Sequence, residues 1–435
     1  MTLIVEEDLR LDSDTDEQQA PKPEAPKAGK PDVEPKRSPP KLVLVSISDA
    51  IGQLQDAWAN PIKATSTGLA PLDDLLQGGL RPGDFVAVVG AAGGGKSALV
   101  GQIALDAAKA GAVVMYASIE MPATEIVSRW LAHEVFDALN DDGRPMDGEP
   151  TGDLGYGAIL YGQNINVGRL DAARGELRDV SERVFVQQVV PGSTVDDLTT
   201  LVKAAREKVK ADREKVKAAH DPDTPFTEDP DAPFVLVVDP LQRFYASESG
   251  KRVGSALNAV NADETERIGA VAQELKVMCD REKIAVIVTS DTTKRAAGSY
   301  QSSSQSLRGS YEFNHLATLV LGLHSKATPE KLEAYLGEKG EGAGEVPDMT
   351  ADDFKRAMPT KWRSTPAKGL GARTVLVECS KNRRGAPQDF ALGAVLGAAW
   401  FGCTGEDVFG RSPPKAKEPK AIAPKAKSKS IEGVG

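Results

Sequence analysis

The octapeptide GAAGGGKS, running Gly90, Ala91, Ala92, Gly93, Gly94, Gly95, Lys96, Ser97, has the spacing G-x-x-x-x-G-K-[ST], and a helical pattern follows from Ala98. Glycines at these positions let consecutive backbone N–H groups curl around an anion, and the start of the helix adds its dipole. Lys96 can reach β- and γ-phosphate oxygens, and the Ser97 hydroxyl can ligate Mg²⁺. The expected ligands are therefore ATP and Mg²⁺. A glycine-rich chain can match such a pattern by chance, so context decides: an apolar run precedes the loop and a helix follows, as phosphate binding requires.

Three carboxylates end apolar runs elsewhere. Glu120, in YASIEMP, is expected beside the phosphate loop, where it can polarise the water that attacks a γ-phosphate. The plainer reading is a helix-start Glu ahead of Pro122. Asp239, in FVLVVDPLQRF, has the pattern of a Walker B acid and is expected to hold Mg²⁺ through water or Ser97, since a carboxylate buried without such a partner is costly. Asp291, in IAVIVTSD, permits three readings: an altered phosphate sensor paired with Lys294 or Arg295, an extra acid near the metal, or a turn residue. Basic loops follow two of these acids. Lys251 and Arg252 come after Asp239, and Lys294, Arg295, Tyr300 and Arg308 come after Asp291. Such cations can track phosphates and Tyr300 can stack on a base, although basic surface loops are common in any protein.

The elements that must position these groups alternate. FVAVVG, AVVMYAS, RVFVQQVV, FVLVVD, IAVIVTS, LATLVLGL and RTVLVECS read as buried strands, with helices near 97–110, 122–139, 194–219 and 261–282. Continuous apolar strands separated by helices predict an α/β fold with a mainly parallel, twisted sheet flanked by helices on both faces. In such sheets ligands bind at the carboxyl ends of the strands. That is where Gly90, Glu120, Asp239 and Asp291 fall.

Around this core the expected organisation is a disordered Pro/charged tail over 1–42, a linker helix over 43–63, the catalytic domain over 64–410 and a basic disordered tail over 411–435. Insertions are expected near 205–232 and 325–370. Ile47, Ile51, Leu54 and Trp58 form one apolar stripe on the linker helix, which either packs on its own core or docks on a neighbouring subunit. The seven-residue repeat in REKVKADREKVKAA is too short and charged for a coiled coil and reads as a solvated helix.

The formal charge of −10 argues against a chain that coats nucleic acid all over, but leaves room for a local basic channel. Cys279, Cys379 and Cys403 form no CxxC pair, and with four histidines they offer no zinc spacing and no disulfide framework. The cytoplasm is the expected compartment. No apolar run is long enough to span a bilayer, and the N-terminus is too acidic for a signal peptide.

Taken in order, GKS, SIEM, DPLQ, TSDTTK, LRGS and KNRRG resemble the RecA-fold ATPase domain of hexameric DnaB-type replicative helicases. They are also similar to the smaller RepA-type plasmid helicases, and KNR is shared with RadA-type recombination ATPases. The resemblance covers about residues 43–405. It implies a RecA-like P-loop NTPase in which Lys96 and Ser97 bind phosphate and Mg²⁺, Glu120 is the catalytic glutamate and Asp239 the Walker B acid. It further implies that Lys381 and Arg383 are a trans-acting lysine and an arginine finger, reaching a neighbour's γ-phosphate in a homo-oligomeric, hexameric ring. Asp291 stands where DnaB-type proteins carry Gln and RepA-type proteins His. After LRGS the DnaB-type acidic run is replaced by YEFNHLATLVL.

A helical N-terminal domain of the DnaB kind does not fit into the residues ahead of the linker, so primase-type partnering through it is not expected. The resulting expectation is an ATP-driven DNA helicase or single-stranded DNA translocase. The competing readings are a regulatory or assembly ATPase acting on a protein partner, with the tails as partner sites, and a nucleotide-binding structural protein without turnover.

Overall fold

The computed structural model describes residues 45–141, 155–163, 165–219, 232–247, 264–292, 315–325 and 371–402. The expected tails over 1–42 and 411–435, residues 220–231 of the first expected insertion and 326–370 of the second lie outside the described residues. The chain divides into two compact units, Met1–Pro61 and Ile62–Gly435.

The first unit holds helix α1 (Ile47–Ala59). Ser46 caps it: its hydroxyl accepts from the Asp49 amide at 3.0 Å and donates to the Asp49 carboxylate at 2.7 Å. No residue of α1 is buried, and Ile47, Ile51, Leu54 and Trp58 present their apolar stripe outward.

In the second unit a nine-stranded sheet runs in the order β3-β2-β4-β5-β1-β6-β7-β8-β9. The strands are β1 (Phe85–Gly90), β2 (Val113–Ser118), β3 (Val184–Gln188), β4 (Phe234–Asp239), β5 (Ala285–Asp291), β6 (Leu319–His324), β7 (Ala372–Asn382), β8 (Phe390–Val395) and β9 (Trp400–Gly402). Pairing is parallel from β3 across to β6 and antiparallel from β6 to β9. The helices are α2 (Ala70–Leu75), α3 (Lys96–Lys109), α4 (Ala123–Asp141), α5 (Tyr156–Tyr161), α6 (Val167–Val180), α7 (Val195–Ala219) and α8 (Glu264–Glu282).

The alternation within β1 shows why its whole run is apolar. Val86 and Val88 pack with Leu99, Ile103 and Trp130 on the α3–α4 face, while Phe85, Ala87 and Val89 pack with Leu198, Leu275 and Met278 on the α7–α8 face. Both faces are dry, so each large side chain contributes on the order of 1.5–3 kcal/mol of burial free energy. The expected α/β sheet covered on both sides is what the chain forms.

Five described elements escaped the sequence reading, among them the short helix α2. In α6, Gly168 and Gly175 dilute the pattern set by buried Leu170, Ala173 and Val180; α5 is a single short helix. Strands β8 and β9 are short and rich in small residues, yet they close the sheet. Gln102 of α3 holds them: its amide donates to the Phe401 carbonyl at 2.9 Å and accepts from the Phe401 amide at 2.7 Å. The expected solvated face of α7 is present as the ladder Lys208–Asp212–Lys215.

A buried ionisable cluster lies between α3, α4 and β9. Lys109 donates to both oxygens of Glu134, and Trp400 donates to Asp137 at 2.8 Å. Beside them burial pushes the Asp106 carboxyl up to about 7, reinforced by Asp137 and Glu134 and opposed by Lys109 and Gln102. A folded state with a raised carboxyl pKa binds the proton more tightly than the unfolded chain, so stability falls as pH rises from about 4 to about 7. Asp106→Asn is therefore expected to raise Tm by a few degrees at pH 8 and to leave it nearly unchanged at pH 4. Thermal melts of both proteins at the two pH values check this. His133, pulled down to about 4 by burial, titrates in both and cancels in the comparison.

Candidate functional site

The phosphate loop joins β1 to α3. Gly93 and Gly95 have φ of +70° and +95°, a region that side chains with a Cβ rarely adopt. At Gly95 a Cβ would also lie 2.9 Å from Leu396 and 3.2 Å from Phe401. The closing hairpin thus packs directly beneath the loop. Lys96 opens α3 and is buried; its ammonium donates to the carbonyls of Gly90 and Ala91, both at 3.0 Å, and to Asp291 Oδ1 at 2.7 Å. All three N–H donors of the lysine are used.

The last three residues of β5 each hold a different part of this end of the sheet. Thr289 donates its hydroxyl to Asp239 Oδ1. Ser290 accepts from the Gln242 amide at 2.7 Å. Asp291, paired in register with Gly90, holds Lys96. Asp291 is thus beside the phosphate loop, and its ion-pair partner among the described residues is Lys96; the expected pairing with Lys294 or Arg295 falls on residues outside the described ones.

Asp239 ends β4 and is almost fully buried. Its Oδ2 accepts from the Tyr116 hydroxyl at 2.7 Å. Burial, and then Asp239 itself, raises the Tyr116 phenol well above its ordinary range, so it stays a donor. Ser97 lines one small pocket with Tyr116, Met121, Arg129 and Ala399. Among the described residues no group of three or more His, Cys, Asp or Glu side chains could cage a metal. One carboxylate and one hydroxyl are hard oxygen donors that suit Mg²⁺ shared with nucleotide phosphates and water. The residues fit that ion. Asp239, its oxygens already engaged by two hydroxyls, would reach it through water.

Glu120 lies past the end of β2, more than half exposed, with Arg243 Nε 3.5 Å from its Oε1. The turn that carries it is tied down by Met121 N–H to Ser118 Oγ at 3.0 Å and by Ile119 N–H to the Asp239 carbonyl at 3.2 Å. One expectation is corrected here. Glu120 is not on the strand beside the phosphate loop, because β4 and β5 stand between β2 and β1; its link to the site runs through Asp239.

Lys381 and Arg383 are at the opposite end of the sheet. Lys381 pairs with Val320 and Asn382 with Leu319, which in turn pairs with Val86, whereas Gly90 pairs with Leu323. Lys381 is therefore level with Ala87, three residues of strand or about 10 Å from Gly90, and Asn382 with Val86, four residues or about 13 Å away at 3.3 Å per residue. Arg383 is exposed just past β7, its N–H bonded to the Thr318 carbonyl at 2.9 Å. Burial, followed by the charge of Arg383, pulls Lys381 down to about 8. The basic candidates Lys251, Arg252, Lys294, Arg295, Tyr300 and Arg308 lie outside the described residues.

Sequence reasoning missed Tyr116, Thr289, Gln242 and Arg384. Thr289 left a trace, a polar residue in an otherwise apolar run. Tyr116 left none, since an aromatic in a buried strand reads as core.

Residues 64–138 match the family described as DnaB-like helicase C terminal domain. The match spans the phosphate loop, Glu120 and most of α4. Two solved structures are similar at 15% identity and a TM-score of 0.53: "ATPase Domain of G40P", covering 82% of this chain and 99% of that one, and "The Structure Of A DnaB-Like Replicative Helicase And Its Interactions With Primase", covering 83% and 67%. At that identity the likeness establishes the fold alone, a large, mostly parallel sheet flanked by helices. No curated protein matches the sequence. Among the described residues no helix is long and apolar enough to cross a membrane.

Proposed function

We propose that this chain is an ATP-hydrolysing motor subunit that assembles into a homo-oligomeric, hexameric ring and moves along single-stranded DNA. The observation that carries the ATPase part is the convergence on β5: Thr289 holds Asp239 and Asp291 holds Lys96, so one strand end positions the metal acid and the phosphate lysine. ATP with Mg²⁺ supplies the transferable phosphoryl group and its charge neutralisation. Lys96 would exchange the loop carbonyls and Asp291 for the phosphate oxygens, Ser97 and Asp239 would hold the ion, and Glu120 would orient the attacking water.

The ring is supported by what one chain lacks. Lys381 and Arg383 lie below the level of their own phosphate loop, with Arg383 exposed, and we assign them to a neighbour's, where a guanidinium can spread transition-state charge. The exposed apolar stripe of α1 fits a docking contact between copies. With no membrane-crossing helix among the described residues, we place the work of the ring in the cytoplasm.

Asp291 favours a second reading. A carboxylate against the phosphate lysine opposes nucleotide entry until it is displaced, which suits a regulatory or assembly ATPase that acts on a protein partner. ATP hydrolysis with and without single-stranded DNA separates the readings, with Lys96→Ala as blank and Asp291→Gln alongside. The motor predicts a rate raised several-fold by DNA in the wild type. A wild-type rate indifferent to DNA, together with a responsive Asp291→Gln rate, would replace the motor with the regulatory ATPase. Absence of turnover would leave a nucleotide-binding structural protein.

A further inference from the structure

We propose that Arg384 is the positioning residue of the Lys381–Arg383 segment, fixing it to the base of β1 through its ion pair with Asp84. The proposal rests on the reading of Arg383 as a group that acts on a neighbour's nucleotide.

Arg384 donates to both oxygens of Asp84 at 2.7 Å each and to the Leu76 carbonyl at 2.8 Å. Its amide donates to Asn382 Oδ1 at 2.9 Å, and its carbonyl accepts from the Gln77 side chain. Asn382 in turn donates to the Leu75 carbonyl at 3.0 Å. Arg383 is therefore bracketed. The residues on either side are bonded to the corner between α2 and β1, its own N–H is bonded to Thr318, and its side chain projects outward.

The anchor point is itself rigid. Asp84 is almost fully buried, its Oδ2 also accepts from the Arg81 amide at 2.7 Å, and it is the residue just before β1. A single strand thus carries the phosphate loop at its carboxyl end and the anchor of the finger at its amino end. Lysine cannot reproduce this arrangement, because Arg384 uses two nitrogens held in one plane, Nη2 on the Asp84 carboxylate and Nη1 on the Leu76 carbonyl, where lysine has a single one.

Displacing a catalytic group by about 1 Å can cost on the order of 100-fold in rate. The test measures steady-state ATP hydrolysis of the full chain for Arg383→Ala, Arg384→Lys and the double variant, with thermal melts and ATP binding alongside. Arg384→Lys should lower kcat by roughly 10- to 100-fold with KM for ATP unchanged. The double variant should be slower than Arg383→Ala alone by much less than the Arg384→Lys factor, since with Arg383 gone only Lys381 is left to position. Should Arg384→Lys fail to fold, Asn382→Ala removes the bracket from the other side and carries the same expectation.

An unchanged kcat in Arg384→Lys beside a large loss in Arg383→Ala overturns the positioning role while leaving the finger intact. A double variant slower than Arg383→Ala by the full Arg384→Lys factor assigns Arg384 a separate structural effect and also overturns it. No loss in Arg383→Ala removes the finger reading and this inference together.

Discussion

Mixing Lys96→Ala chains with Arg383→Ala chains is expected to restore ATP hydrolysis that neither variant has alone. Each variant by itself should be nearly silent: Lys96→Ala lacks the charge that draws phosphate into the loop, and removal of a trans-acting arginine costs about 10³-fold or more in kcat. In a mixed ring some interfaces join an intact phosphate loop from an Arg383→Ala chain to an intact finger from a Lys96→Ala chain. Random assembly from equal amounts makes about a quarter of all interfaces complete. The mixture should regain a corresponding share of the wild-type rate, measured at fixed total chain after co-assembly. Recovery cannot arise in cis, because Arg383 lies beyond Leu319 and Asn382, at the end of the sheet away from Gly90 and Lys96. A co-assembled mixture as silent as its components would refute the trans assignment.

The same topology explains what could be read from the residues and what could not. The buried runs were legible because strands covered on both faces must be apolar throughout, and the carboxyl-end rule then picked out Gly90, Asp239 and Asp291 without coordinates. Partners were not legible. Lys96 and Asp291 are 195 positions apart and become neighbours only because β5 inserts next to β1. Glu120 was misplaced for the same reason: β2 follows β1 in the chain, but β4 and β5 stand between them. The closing hairpin of β8 and β9 was lost to its small residues, whose strand character comes from pairing with β7 and from Gln102 rather than from their own preferences.

Arg384, the second arginine of KNRRG, drew no reading from the sequence, and its loss is the second change expected to have a large effect. Arg384→Ala should destabilise the fold by about 3–5 kcal/mol, the usual consequence of stranding one partner of a buried ion pair. Burial already pushes the Asp84 carboxyl up, against the opposing effects of the Arg81 amide and Arg384, and removing the guanidinium leaves that desolvation uncompensated. Asp84→Asn alone should cost less, since a neutral amide can still accept from the Arg81 backbone. Combining it with Arg384→Ala should recover part of the loss, because no buried charge is then left without a counterion. Urea unfolding of the four proteins measures the coupling. A coupling near zero would mean that water reaches Asp84 when Arg384 is gone, and that the corner beneath β1 is held by its backbone turn and the Leu72–Leu76–Leu80 packing rather than by the ion pair.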